Sequence, residues 1–150
     1  MWTLYSLGIH VYAFLVFVAS FFNAKAKKRF VGQRQTFKYL KSNVDKNAKY
    51  VWFHAASLGE FEQARPLMEE LRRRKPEYKI LLTFFSPSGY EVRKNYEGAD
   101  LVCYMPLDTI RNAERFVRRV KPVDAIFVKY EFWPNFLFAL RRRGIPTYIV

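Results

Sequence analysis

Three patterns of hydrophobic and polar positions divide the chain. Trp2 to Ala24, "WTLYSLGIHVYAFLVFVASFFNA", contains no Lys, Arg, Asp or Glu, a length that suits a bilayer span of about 20 apolar residues. Lys25 to Lys49 is mostly polar and carries nine Lys or Arg against one acid, Asp45. From Tyr50 onward, short apolar runs alternate with segments whose apolar positions recur every three or four residues, the marks of strand and helix in turn. "YVWFHA" predicts a strand, and "GEFEQARPLMEELRRRK" a helix with Phe61, Ala64, Leu67, Met68 and Leu71 on one stripe. Pro66 must sit in the first turn of that helix or kink it. "KILLTFF" predicts a strand, and "SPSGYEVRKNY" a short helix capped by Ser86 with Pro87 at its first position. The strand "DLVCYMP", the helix "TIRNAERFVRRV", the strand "DAIFVKYE", the helix "PNFLFALRRRG" stopped by Gly144, and the strand "PTYIV" complete the chain.

Strands alternating with helices imply an α/β fold with a parallel, doubly wound sheet. The strands are short and continuously apolar, as in a sheet covered on both faces. Ligands of such sheets bind outside the carboxyl ends of the strands. The unusual residues fall at those ends: Ser57-Leu58-Gly59-Glu60, Ser86-Pro87-Ser88-Gly89, Pro106-Leu107-Asp108, and Lys129 to Asn135. Four loops are therefore expected on one rim.

Composition narrows the partners. The chain has 150 residues, 51% hydrophobic and 19% aromatic, enough for one domain with a real core and too apolar for disorder. A net charge of +13 calls for an anionic partner. The cations after Ala24 directly follow the apolar stretch, which favours anionic headgroups and places the rest of the chain on the cytoplasmic side. Ser6, Gly8, His10 and the tyrosines weaken a true span, so a helix lying in the interface stays open beside it. A buried N-terminal helix of a larger fold, followed by a solvated linker, is the third reading. A cleavable signal peptide fits poorly, since no basic n-region precedes the apolar run. Nucleic acid ranks low because no recognition motif accompanies the charge. Cys103 is the single cysteine. It excludes an internal disulfide and reads as buried packing.

The candidate chemistry centres on Glu60. Gly59 lets the backbone turn sharply or approach a ligand closely. Glu60 sits at a helix start, where the dipole favours its ionised form. Two roles stay open: a base that takes a proton from a hydroxyl nucleophile, or a residue that only caps its own helix. "SPSG" offers free N–H groups suited to an anion, or is a plain cap. His54 stands at a strand end without a second histidine nearby, which favours a core or positioning role over metal binding.

Together, "WFHAASLGEFEQARPLMEEL", "LLTFFSPSGYE", "YMPLD" and "VKYEFWPNFL" resemble the N-terminal half of the 3-deoxy-D-manno-octulosonic acid (Kdo) transferases of Gram-negative bacteria. The resemblance covers essentially the whole chain, and "SLGE" and "EFWPN" are its most diagnostic parts. It implies a Rossmann-like N-terminal domain (50–150) of a GT-B glycosyltransferase, preceded by a membrane anchor helix (1–24) and a basic juxtamembrane segment (25–49). It implies transfer of Kdo from CMP-Kdo to a lipid A precursor at the cytoplasmic face of the inner membrane, without a metal, so that no cofactor is expected. Glu60 occupies the position of the catalytic base. Ser57, Gly59, Ser86, Ser88, Gly89 and Asn135 would line the acceptor site, and Trp133 would pack below the rim.

Two departures bear on this. The family often carries two glutamates as E-x-E before Trp-Pro-Asn; here the first is Lys129 and the second Glu131. The first glutamate's role in stabilising the transition state does not carry over to a lysine. Either Lys129 contacts a phosphate or carboxylate, or Glu131 takes part of the role. A GT-B enzyme also has a second, donor-binding domain. Its absence leads to the expectation of a fragment that lacks the CMP-Kdo site and is inactive alone. The alternatives are a non-catalytic module that binds acidic lipids, and another GT-B enzyme acting on lipid-linked sugars.

Overall fold

The computed structural model describes residues 2–129 and 131–150; Met1 and Tyr130, the latter within the fourth rim segment, lie outside them. Five strands, β1 (Lys49–Ala55), β2 (Tyr78–Phe84), β3 (Leu101–Tyr104), β4 (Asp124–Phe127) and β5 (Thr147–Ile149), form one sheet in the order β3-β2-β1-β4-β5. Every pairing is parallel. The helices are α1 (Trp2–Ala19), α2 (Ala24–Asn43), α3 (Leu58–Arg74), α4 (Pro87–Arg93), α5 (Ile110–Val120) and α6 (Pro134–Arg142).

Alternation along β1 shows why helices cover both faces. Tyr50 and Trp52 pack with Leu40 of α2, Phe116 and Val117 of α5 and Phe136 of α6. Val51, Phe53 and Ala55 pack with Phe61, Ala64 and Met68 of α3. The sheet is thus doubly wound, as the alternation of patterns implies. From β1 the chain steps to β2 and β3 on one side, then crosses to β4 and β5 on the other. The switch point lies between β1 and β4, where such sheets bind ligands.

Of the two places open to Pro66, the first turn is not the one taken: it lies in the interior of α3, with its ring on the exposed face. Two local expectations are corrected. Leu67, placed on the apolar stripe, is exposed, because Phe61, Ala64 and Met68 suffice to cover the sheet there. The fourth strand was expected to reach Glu131 but ends at Phe127, since Lys129 adopts a left-handed φ of 57° that no strand accommodates.

The basic segment after Ala24 is a helix that covers the edge strand β3. Thr36 Oγ1 donates to the Tyr104 carbonyl (2.8 Å), Gln33 Nε2 donates to the Met105 carbonyl (3.0 Å), and Tyr39 Oη accepts from the Val102 N–H (3.4 Å). These bonds occupy backbone groups that an open edge leaves unpaired. Thr36 and Leu40 are buried, while the lysines face outward.

The apolar run before it is split. α1 ends at Ala19, and Asn23 caps α2 by accepting from the Lys25 and Ala26 N–H groups. Phe17 packs on Phe21 and Phe30, which joins the two helices into a hairpin. Among the described residues no helix is long and apolar enough to cross a membrane. Leu4, Leu7, Phe14, Leu15, Phe21 and Phe22 of the hairpin are exposed.

Candidate functional site

The two loops that flank the switch point each carry one candidate carboxylate. The first leaves β1 and enters α3. Ser57 is the N-cap, yet its side chain makes no cap bond. Glu60, in the first turn, reaches back instead: Oε2 accepts from the Ala56 N–H at 2.5 Å. The side chain is half-buried, and Oε1 takes no hydrogen bond from any described residue. The carboxylate is therefore oriented by one oxygen and open at the other. Gly59 makes no sharp turn, having no positive φ, and nothing lies within 4 Å of where a Cβ would stand. The backbone before Glu60 is bare and approachable.

The second loop leaves β4, which pairs with β1 so that His54 stands opposite Phe127. The αL turn at Lys129 swings the chain out, and the Lys129 side chain is exposed. Glu131 then folds inward. Its Oε2 accepts from Trp133 Nε1–H at 2.8 Å and lies 3.7 Å from His54 Nε2. That separation is an ion-pair distance but too long for a hydrogen bond. The imidazole beside Glu131 holds its carboxyl below its ordinary value, and burial opposes this.

Below Glu131 lies a buried polar column. His54 is fully buried; its Nδ1 is 2.9 Å from Thr83 Oγ1, which also accepts from Trp52 Nε1–H at 2.8 Å. Two proton arrangements present a positive edge to Glu131. Either Thr83 donates to Nδ1 and the proton sits on Nε2, or the ring is an imidazolium. Trp133 packs on Phe85 at 4.6 Å and edge-on to His54 at 6.2 Å. It packs at the rim as expected, and it also holds Glu131.

The other rim residues have structural partners. Ser86 caps α4 by accepting from Ser88 N–H, and its own N–H donates to the Ala56 carbonyl at 2.8 Å, which ties the loop between β2 and α4 to the loop between β1 and α3. Ser88 is exposed. Gly89 is buried: a Cβ there would stand 2.3 Å from the Phe84 ring and 3.1 Å from the Ser57 backbone. Its role is close packing of the two loops, not an open contact at the rim. Asn135 is buried too, and its amide donates to the Asp108 carbonyl at 2.7 Å. Sequence reasoning placed Asp108 on the rim without a task. Its buried carboxylate accepts from the Asn135 and Phe136 N–H groups and so caps α6, whose own N-cap residue, Trp133, makes no side-chain capping bond. Tyr5 Oη of α1 donates to the same carboxylate at 2.5 Å. No sequence signal joins Tyr5 to Asp108, which stand 103 positions apart.

Comparison with known proteins places the sequence in a family. A family model described as 3-deoxy-D-manno-octulosonic-acid transferase (kdotransferase) matches residues 26–150. The 3-deoxy-D-manno-octulosonic acid transferase of Aquifex aeolicus is 40% identical over 94 residues, 61% of this chain and 26% of that protein. That of Haemophilus influenzae is 36% identical over 100 residues, 66% of this chain and 23% of that protein. That of Chlamydia trachomatis serovar D is 31% identical over 102 residues, 67% of this chain and 24% of that protein. The matched region spans about a quarter of the length of these relatives. With the matched residues holding both flanks of the switch point, the chain belongs to the 3-deoxy-D-manno-octulosonic-acid transferase family.

Proposed function

We propose that this domain is the acceptor side of a glycosyltransferase that moves Kdo from CMP-Kdo to a lipid A precursor, with Glu60 as general base. The observation that carries the reading is the position of the apolar hairpin. α1 is fastened to the same rim as the two carboxylates, through Tyr5 on Asp108 and through Tyr12, whose hydroxyl accepts from Arg29. A helix with exposed Leu4, Leu7, Phe14 and Leu15 beside a polar rim suits an acceptor whose lipid part stays in the membrane while its sugar reaches the site. α1 would lie in the interface of the inner membrane's cytoplasmic face, and the lysines of α2 would meet anionic headgroups.

Glu60 suits a base because one carboxylate oxygen is held by the Ala56 N–H and the other is open towards the rim. The acceptor hydroxyl would lose its proton to that oxygen as its own oxygen attacks the anomeric carbon of Kdo and CMP departs. The bare backbone at Gly59 admits the acceptor sugar. Glu131, kept ionised beside His54, would stabilise positive charge that develops on the sugar ring. The exposed Lys129 would meet an anionic group of donor or acceptor. A further domain would supply the CMP-Kdo site.

The test is Glu60→Gln in a complete enzyme containing this domain. Loss of a general base lowers the rate about 100- to 10,000-fold, while the melting temperature moves little, because the amide still accepts from Ala56. A transfer rate within a few-fold of the parent would leave Glu60 as a cap alone.

A further inference from the structure

The guanidinium of Arg29 is a cation held ready at the rim without an anion. Arg29 stands near the start of α2, and its Cζ lies 4.0 Å from the Phe85 ring centroid and 5.1 Å from that of Tyr12. One terminal nitrogen donates to Tyr12 Oη at 2.5 Å. Its Nε is buried and has no partner. No carboxylate among the described residues pairs with it, although most acids of this chain sit in ion pairs. A second orphan lies nearby. The Tyr104 hydroxyl is also buried without a partner, in a residue 2% exposed.

A half-buried guanidinium loses hydration, and a buried N–H without an acceptor costs the full desolvation of that group. The Phe85 ring under the guanidinium and the bond to Tyr12 Oη restrain the side chain, so less freedom remains to be lost when an oxyanion arrives. A planar fork with free donors matches a phosphate or carboxylate bidentately. Contacts then lead from Arg29 to the catalytic loop. Phe85, under the guanidinium, packs on Trp133, and Trp133 holds Glu131.

We propose that Arg29, braced by Tyr12 and Phe85, is the recognition site for a phosphate group on the acceptor sugar. This rests on the acceptor-side reading above and goes beyond it. The hairpin then supplies a ligand-binding group as well as an apolar face, and the phosphate sets the position of the sugar relative to Glu131 and Glu60. Tyr12 is a positioning residue that acts through Arg29.

The test is binding by the full chain in neutral maltoside micelles. The probes are N-acetylglucosamine 1-phosphate, unphosphorylated N-acetylglucosamine, and phosphatidylglycerol vesicles. The readouts are the Arg29 Nε and Trp133 indole resonances. The parent should bind the phosphorylated sugar saturably and the neutral sugar at least about tenfold more weakly, as expected for a charged hydrogen-bonded contact. Arg29→Gln should abolish the preference. Arg29→Lys, which keeps the charge but not the fork, should weaken binding several-fold, and Tyr12→Phe should do so to a lesser degree. Flotation on phosphatidylglycerol vesicles should survive Arg29→Gln, since the other cations of α2 remain. If Arg29→Gln fails to fold, Arg29→Lys and Tyr12→Phe carry the same comparison. The proposal is overturned by equal binding of both sugars, by full binding in the Lys or Gln variants, or by loss of vesicle binding in Arg29→Gln, which would make the anion a lipid headgroup. None of these outcomes touches Glu60→Gln, which reads transfer rate, so the two readings fail separately.

Discussion

At the scale of residues, Thr83 has the most demanding position. Its hydroxyl faces Trp52 Nε1 and His54 Nδ1 inside the sheet, where no water substitutes for it. Thr83→Val keeps the shape and removes both bonds. Leaving two buried polar groups unmatched costs about 2 kcal/mol or more. Thr83→Ser keeps the hydroxyl and should stay within about 1 kcal/mol of the parent. Chemical denaturation of the two variants checks this. Glu131 makes a different test, because its carboxyl is held below its ordinary value by His54. A depressed carboxyl adds stability that is present above its unfolded pKa and is lost as pH falls through the folded one. The stability gap between the parent and Glu131→Gln should therefore shrink as pH is lowered through and below the ordinary carboxylate range. The side chain is only 21% exposed, so its charge is weakly screened and the gap at neutral pH should be about 1 kcal/mol or more. A gap that widens on acidification would assign the interaction to another group.

At the scale of elements, two helical glycines predict opposite outcomes. Gly32 lies inside α2, where glycine costs about 1 kcal/mol relative to alanine. A Cβ there would stand 2.3 Å from the Tyr104 ring, which is itself buried and stacked 4.2 Å from Tyr90. The ring must shift to admit the methyl, and overpacking of this kind costs about 1–3 kcal/mol. Gly32→Ala should lower the melting temperature despite the better helix former. Gly59 also lies in a helix but has nothing within 4 Å of its missing Cβ. Gly59→Ala should leave the melting temperature unchanged or raise it, by up to about 1 kcal/mol of stability. Comparing the two melting curves separates close packing from a bare backbone kept free for a ligand. Lower transfer in a complete enzyme carrying a stable Gly59→Ala would then reflect access to Glu60.

At the scale of the whole molecule, charge and apolar surface are segregated. A cleft of about 420 Å³ at the amino ends of the strands is lined by Lys46, Arg115, Arg118, Arg119 and Lys121. It lies at the end of the sheet opposite the carboxylates. The exposed apolar residues of α1 and the hairpin tip stand instead beside the rim, next to Lys25, Lys27 and Lys28. The chain should therefore float with vesicles containing anionic lipid. Glutamate at Lys25, Lys27 and Lys28 should weaken flotation strongly, since each basic residue near such a surface contributes about 1 kcal/mol. Aspartate at Phe21 and Phe22 should weaken it further by removing the apolar insertion. Full flotation by both variants would place the membrane contact elsewhere.

Local pattern determined much of this protein. Continuous apolar runs can be satisfied only between two covering layers, so the parallel sheet, its helices and the rim with Glu60 and Glu131 follow from residue order. The Ser86 cap and the Gly144 stop are equally local, because their partners lie within a few positions. The tertiary structure alone assigned the contacts across the chain. Asp108 caps α6 and meets Tyr5, Thr83 serves His54 and Trp52, and α2 closes the β3 edge. Each joins residues far apart in sequence, and hydrophobic periodicity reports which face of an element is covered, not by what. The basic composition of residues 25–49 hid a helix for the same reason. Its few buried positions, Thr36 and Leu40 among them, acquire their partners only when the edge of the sheet is already there to receive them.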